Sequence, residues 1–185
     1  MKRLEEMTLQ ELWRLFPIRL VPPDERWTAW AAEEIEELKA TVFAPQPVEL
    51  HHIGSTAIHG IWAKPVIDLL AEADAAHFGV LKQRLLQAGW RCMNASERRI
   101  SFNKGYTPTG YAERVFHLHL RTWGDNDEIR FRDYLNTHAE TARQYERLKL
   151  TLWKAYEHDR DGYTEAKSAF VRLYTDWAKE GSPHP

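Results

Sequence analysis

The run Arg114-Val115-Phe116-His117-Leu118-His119-Leu120-Arg121 alternates apolar and polar side chains from Phe116 onward. Side chains on a strand point to opposite faces in turn. This run therefore predicts a strand, with Phe116, Leu118 and Leu120 against a core and His117, His119 and Arg121 on the other side. A chain carrying it must build a sheet with one covered apolar face. On the second face two imidazoles stand about 6.6 Å apart, near enough to share one metal ion or flank one anion. A single histidine there would read as packing; for the pair both readings stand.

The rest of the chain supplies partners for that strand. Val48 to Ile53, Val66 to Ala71 and Arg98 to Lys104 are short and apolar enough to be strands. A helix is expected from about Asp74, its N-cap, to Ala88, with Phe78, Leu81, Leu85 and Leu86 inward and Gly89 as stop signal. Residues 8 to 16 read as a short amphipathic helix on Leu9, Leu12, Trp13 and Phe16. Pro22-Pro23-Asp24 opens a longer helix to about Lys39, where Trp27, Trp30, Ala31, Glu34 and Leu38 follow helical spacing and leave a face of glutamates. After the turn Gly124-Asp125-Asn126, everything to about residue 180 is expected to be helical, with stripes on Tyr145, Leu148, Leu152 and Tyr156 and on Tyr163, Lys167, Phe170 and Tyr174. This order predicts an α+β fold, a small mixed or antiparallel sheet with flanking helices and a helical C-terminal third. With 185 residues the expectation is one domain: an N-terminal helical extension over 1–18, a strand-containing core over 19–122, and C-terminal helices over 123–180.

Charge and cysteine content narrow the function classes. Twenty-five Lys and Arg against 27 Asp and Glu are interspersed, so no field-scale attraction to nucleic acid or anionic lipid is implied, and a charged partner must be gripped locally. The single cysteine, Cys92, excludes an internal disulfide and a cysteine-held metal cluster, and it reads as a small packed residue. Charges interrupt the first 16 residues and no long apolar run occurs, which leads to the expectation of a cytoplasmic protein without a signal peptide or membrane span.

Two local features carry chemistry. Gly54-Ser55-Thr56 follows a strand, where glycine permits close backbone approach and the hydroxyls offer short donors; this can cradle phosphate oxygens or be plain turn chemistry. Asp68 interrupts the apolar run Val66-Ile67-Asp68-Leu69-Leu70, and a carboxylate there needs a cation, a metal or hydrogen-bond donors. It can equally pair with Lys64 or an arginine and hold the strand end. Lys64, Lys104, Arg132 and Lys149 are the cations able to neutralise a polyphosphate, Arg132 bidentately, while Lys149 can also be a surface residue beside the Leu148/Leu152 stripe.

The stretch from His52 through Gly54-Ser55-Thr56 to Lys64-Pro65-Val66-Ile67-Asp68 resembles the signature of the GrpB family. His117-Leu118-His119, Phe131-Arg132-Asp133-Tyr134-Leu135, Tyr145 with Leu148-Lys149, and the segment Asp159 to Lys167 follow in the same order. The resemblance implies a nucleotidyltransferase-like fold, in which Gly54 and Ser55 form a turn toward nucleotide phosphates and acids on adjacent strands hold a divalent metal. Asp68 matches the first of two acids that active nucleotidyltransferases carry at i and i+2, and Leu70 stands in place of the second. The His117/His119 pair replaces a third acid. Ala57, His59, Trp62 and Ala139 are further departures. One carboxylate with phosphates can still hold magnesium, while imidazole ligands favour Mn²⁺, Zn²⁺ or Ni²⁺. The expected activity is binding of a nucleotide or phosphorylated small molecule with a divalent metal at Asp68, His117 and His119, with nucleotidyl or phosphoryl transfer as the associated reaction. The alternatives are a degenerate nucleotide-binding module without turnover and a metal-dependent hydrolase using the HxH pair with Asp68.

Overall fold

The computed structural model describes residues 2–181, so the extreme ends of the expected domain lie outside the described residues. Five strands form one mixed sheet: β1 (Glu49–Ile53), β2 (Ile67–Ala73), β3 (Arg91–Ala95), β4 (Arg99–Thr107) and β5 (Gly110–Thr122), in the order β1-β2-β5-β4-β3. β2 and β5 run parallel and the other neighbours antiparallel. Among the described residues six α-helices accompany them: α1 (Leu9–Leu15), α2 (Arg26–Leu38), α3 (Phe78–Gln87), α4 (Asp127–Thr137), α5 (Ala139–Ala155) and α6 (Arg160–Glu180). The α+β class with a mixed sheet and a helical C-terminal third matches the expectation from sequence.

The alternation in β5 sorts the sheet into two faces. Phe116, Leu118 and Leu120 join Ile67, Leu69 and Ala71 of β2 under α2 and α3, where Trp27, Ala31, Leu38, Phe78, Leu81 and Leu85 complete the main core. Burying each large apolar side chain contributes about 1.5 to 3 kcal/mol. Asp68, Leu70 and Glu72 share the opposite face with His117, His119 and Arg121, in register pair by pair across the parallel β2–β5 ladder. The C-terminal helices pack over that second face. Phe131 and Leu135 of α4, Tyr145 of α5, and Phe170 and Tyr174 of α6 form a smaller core with Ile58 and Ile61.

Two expectations need correction, and one strand was not foreseen. Asp74 is the N-cap as expected, accepting from the Ala76 amide at 2.8 Å, and the tight first turn Ala75–His77 runs directly into α3 at Phe78. Leu86 is 45% exposed, because it is turned about 100° from Leu85 and leaves the Phe78/Leu81/Leu85 stripe. β3 carries no sequence signal: it is an edge strand, its last three residues are exposed, and pairing with β4 alone creates it. In α5 the fully buried positions are Ala142, Tyr145 and Lys149, while Leu148 and Leu152 are half-buried. A lysine therefore occupies the inward stripe.

Candidate functional site

A cavity of about 760 Å³ lies between the polar face of the sheet and the helices α5 and α6. Gly54 leaves β1 with φ +73°, and a Cβ there would sit 2.5 Å from Asp68 Oδ2 and 2.9 Å from its Cβ. Only glycine lets the turn press on the carboxylate in that backbone conformation. Ser55 opens the following turn, Ser55–Ala57, and lines the cavity beside Gly54.

Asp68 faces both imidazoles of β5. Its Oδ1 lies 3.2 Å from His117 Nδ1 and 3.6 Å from His119 Nε2. Burial works against ionisation, but the two histidines hold the Asp68 carboxyl well below the usual carboxylate range. Burial pushes the His117 imidazole down from its ordinary value despite Asp68, which makes a carboxylate beside a neutral imidazole. His117 Nε2 meets Tyr106 Oη at 2.8 Å, and Arg160 Nη2 donates to the same phenol at 3.2 Å. Tyr106 reaches that position because β4 bulges at Gly105, whose φ of +91° and close approach to the Arg114 carbonyl admit no side chain.

One candidate ligand atom from each of Asp68, His117 and His119 lies within 4.8 Å of the others. In a tetrahedral zinc site, ligand atoms about 2.1 Å from the ion stand about 3.4 Å apart, so the Asp68–imidazole distances suit a divalent ion. The Tyr106 contact fixes the other nitrogen of His117, as metal-bound histidines require. A second group, Glu49, His51 and Glu72, lies elsewhere on the sheet. Glu72 there accepts from the Gly124 amide at 2.7 Å and from Asn126 Nδ2 at 3.2 Å, which ties down the turn before α4.

The cavity wall nearest Asp68 is cationic. Lys64 and Lys167 lie over the Tyr163 ring, 5.4 and 4.2 Å from its centroid, and Lys149 lies 4.8 Å from that of Tyr145. Lys149 also donates to the Trp62 carbonyl and is 1% exposed. Burial, then repulsion from Arg160 and Lys167, lowers the Lys64 amine to about 7; burial, then Lys167, does the same to Lys149. Burial brings Lys167 to about 8, with Asp68 opposing the shift. Farther along the wall, Arg99 grips Asp125 through two bonds of 2.6 Å, and Arg121 bonds Asp125 and Glu128. That end is already neutralised by acids.

The sequence reading is matched by a family profile: the family described as GrpB protein covers residues 17–176. The chain belongs to the GrpB family. A UPF0157 protein of Pseudomonas aeruginosa is 32% identical over 176 residues, covering 91% of this chain and 70% of the relative. Among solved structures, GrpB from Enterococcus faecalis is similar with a TM-score of 0.76 at 24% identity, over 88% of this chain and 98% of that one. The Cid1 poly(U) polymerase, solved with MgGTP bound, aligns at a TM-score of 0.50 and 10% identity, over 78% of this chain and 45% of its own. The GrpB chain thus has a nucleotidyltransferase-like fold. Among the described residues, no helix is long and apolar enough to cross a membrane.

Of the site residues singled out in sequence, Gly54, Ser55, Lys64, Asp68, His117, His119 and Lys149 all line this one cavity. Three others do not. Thr56 is buried, with its hydroxyl donated to the Val66 carbonyl at 3.3 Å and 2.9 Å from His52 Nε2, so it closes its own loop. Lys104 stands on the opposite face, bonded to Glu34 at 2.7 Å and set against the Trp90 and Phe116 rings, because odd and even positions of β4 face apart. Arg132 donates to the His52 carbonyl and to Asp133, both at 2.7 Å, and so fastens α4 to β1. Arg160, Tyr163 and Lys167 are wall residues that the sequence did not single out, and Tyr106 joins the site behind the wall through His117 Nε2. Lys167 did carry a signal: it is a cation within the aromatic stripe Tyr163, Phe170 and Tyr174, at i+4 from Tyr163.

Proposed function

We propose that this GrpB-family chain binds the polyphosphate of a nucleotide, or of another phosphorylated small molecule, in the cavity beside Asp68. The observation that carries the proposal is the gathering of Lys64, Lys149 and Lys167 at one wall, with burial and mutual repulsion pulling their amines down toward neutrality. Such a cluster is unfavourable when empty, and a multiply charged anion relieves it by restoring full protonation. Arg160 adds a fixed positive charge, and Gly54 and Ser55 offer a backbone turn for phosphate oxygens. Asp68, His117 and His119 would hold a divalent cation, which when bound neutralises phosphate oxygens and polarises the group under attack. The nucleotidyltransferase-like fold supports the same reading.

Leu70 favours binding over transfer as the chain's present activity. It is buried on the same face as Asp68 and in register with His119, where a second acid would bridge a second ion, so a two-ion clamp lacks its carboxylate. The hydrolase alternative rests on the same Asp68–His117–His119 group and predicts zinc or nickel retained through purification. The deciding experiment is a thermal-shift and calorimetric titration with ATP, GTP, CTP, UTP and inorganic tripolyphosphate, each with Mg²⁺ or Mn²⁺. Saturable stabilisation, weakened in Asp68→Asn when metal is present, supports the proposal. Absence of stabilisation by all five at several millimolar refutes it.

A further inference from the structure

We infer that Asn103 is a fourth member of the Asp68–His117–His119 centre and supplies a neutral carbonyl oxygen to its divalent cation. This rests on the metal reading above. Asn103 sits on β4 directly across from His117 in the antiparallel β4–β5 ladder, so both side chains leave the same face of the sheet. It lines the cavity together with both histidines.

The side chain is 4% exposed and only half satisfied. Its Nδ2 lies 2.9 Å from the Met93 sulfur. A thioether accepts and never donates, so the amide nitrogen must face Met93 and the carbonyl oxygen is the atom left over. Asn103 Oδ1 is buried and has no hydrogen-bond partner in the protein. Buried amide oxygens are nearly always paired, and an orphan in a cavity wall marks a place where a ligand completes the bonding.

The bulge at Gly105 brings Tyr106 back to the face that Asn103 occupies, so the two bracket His117, one across the ladder and the other on its Nε2. Tyr106 sets the orientation of the imidazole, and Asn103 contributes an oxygen next to it. A carbonyl oxygen is a hard, uncharged donor that suits Mn²⁺ and Mg²⁺. One carboxylate, two imidazoles and one carbonyl give a ligand set with a single negative charge, which leaves the cation's remaining positions and charge for phosphate oxygens.

The test uses the full chain and Mn²⁺ alone, with free Mn²⁺ counted by its electron paramagnetic resonance signal and Mg²⁺ added as competitor. Asn103→Ala is expected to weaken Mn²⁺ binding by about tenfold or more, as loss of a supporting group at a metal site does. Asn103→Asp keeps the oxygen and adds charge, so it is expected to bind Mn²⁺ at least as tightly as wild type and to shift the competition toward Mg²⁺. A residue that only packs against Met93 would leave that competition unchanged. Mn²⁺ affinity in Asn103→Ala within about twofold of wild type overturns the inference while leaving the metal site standing, since changes that small are below the expected tenfold. Failure of the wild-type chain to bind Mn²⁺ overturns the metal reading and this inference with it. Should Asn103→Ala lose its cooperative melt, the near-isosteric Asn103→Asp decides: weaker Mn²⁺ binding or an unchanged ratio in a folded protein overturns the role.

Discussion

Replacing Lys149 with methionine should stabilise the folded protein while weakening its hold on polyphosphate. The amine is 1% exposed and lowered from 10.5 to about 7 by burial and by Lys167. At pH 7, keeping such a group in the fold costs about 4 kcal/mol relative to a lysine left in water, taking about 1.4 kcal/mol per pKa unit. Methionine fills similar volume without that charge. Against this gain, the Trp62 carbonyl loses its donor, which costs about 1 to 3 kcal/mol. The net expectation is about 2 kcal/mol of added stability at pH 7, read from urea denaturation. The pH dependence carries the sharper test. Between pH 7 and 10 the unfolded chain keeps the Lys149 proton that the folded chain has lost, so wild-type stability gains about 1.4 kcal/mol per pH unit from this residue as pH rises. The variant lacks that contribution, and its advantage must shrink toward pH 10 and reverse once only the lost hydrogen bond remains. A variant destabilised at pH 7, with a difference from wild type that does not move with pH, would show that the amine is well solvated by its partners and would remove the electrostatic argument for the cavity.

Three further outcomes follow from the same geometry. Gly54→Ala combines a positive φ with a Cβ 2.5 Å from Asp68 Oδ2, so it should cost about 2 to 4 kcal/mol in thermal or urea unfolding and displace the carboxylate enough to weaken Mn²⁺ binding. Tripolyphosphate should bind with net proton uptake at pH 8, because the anion raises lysines that are partly neutral in the free protein. Its affinity should fall as pH climbs from about 7 to 9; calorimetry in two buffers of different ionisation enthalpy reads the proton directly, and proton release would contradict the account. Lys104→Met leaves Glu34 without its partner at 2.7 Å and should cost about 1 to 3 kcal/mol of stability with no change in tripolyphosphate affinity, which separates the two faces of the sheet.

The legible part of the site was the part set by local alternation and by isolated polar residues in apolar runs. Asp68 stands out because its neighbours Val66, Ile67, Leu69 and Leu70 are all apolar, and His117 and His119 because β5 alternates from Phe116 to Arg121. Lys104 and Arg132 show where such reading stops. Charge alone carries no mark of which face a basic residue takes; Lys104 shares strand parity with the buried Ile100 and Phe102 and so falls to the helix-covered side. Lys149 was ambiguous on α5 because Leu148 and Leu152 suggest a stripe one position away from the one that is buried.

By itself, the amino-acid sequence determined the two faces of β5 and the inward stripe of α2, because hydrophobic periodicity acts between near neighbours and needs nothing distant. It therefore set the α+β class and the two polar features that face the cavity. Only tertiary packing decided that α6 would lie across the sheet and bring Arg160 and Lys167 to Asp68, about 90 to 100 residues away along the chain. The same is true of edge strand β3, whose pairing exists only once β4 is in place, and of the lowered lysine amines, since repulsion between charges depends on separation in space and not in sequence.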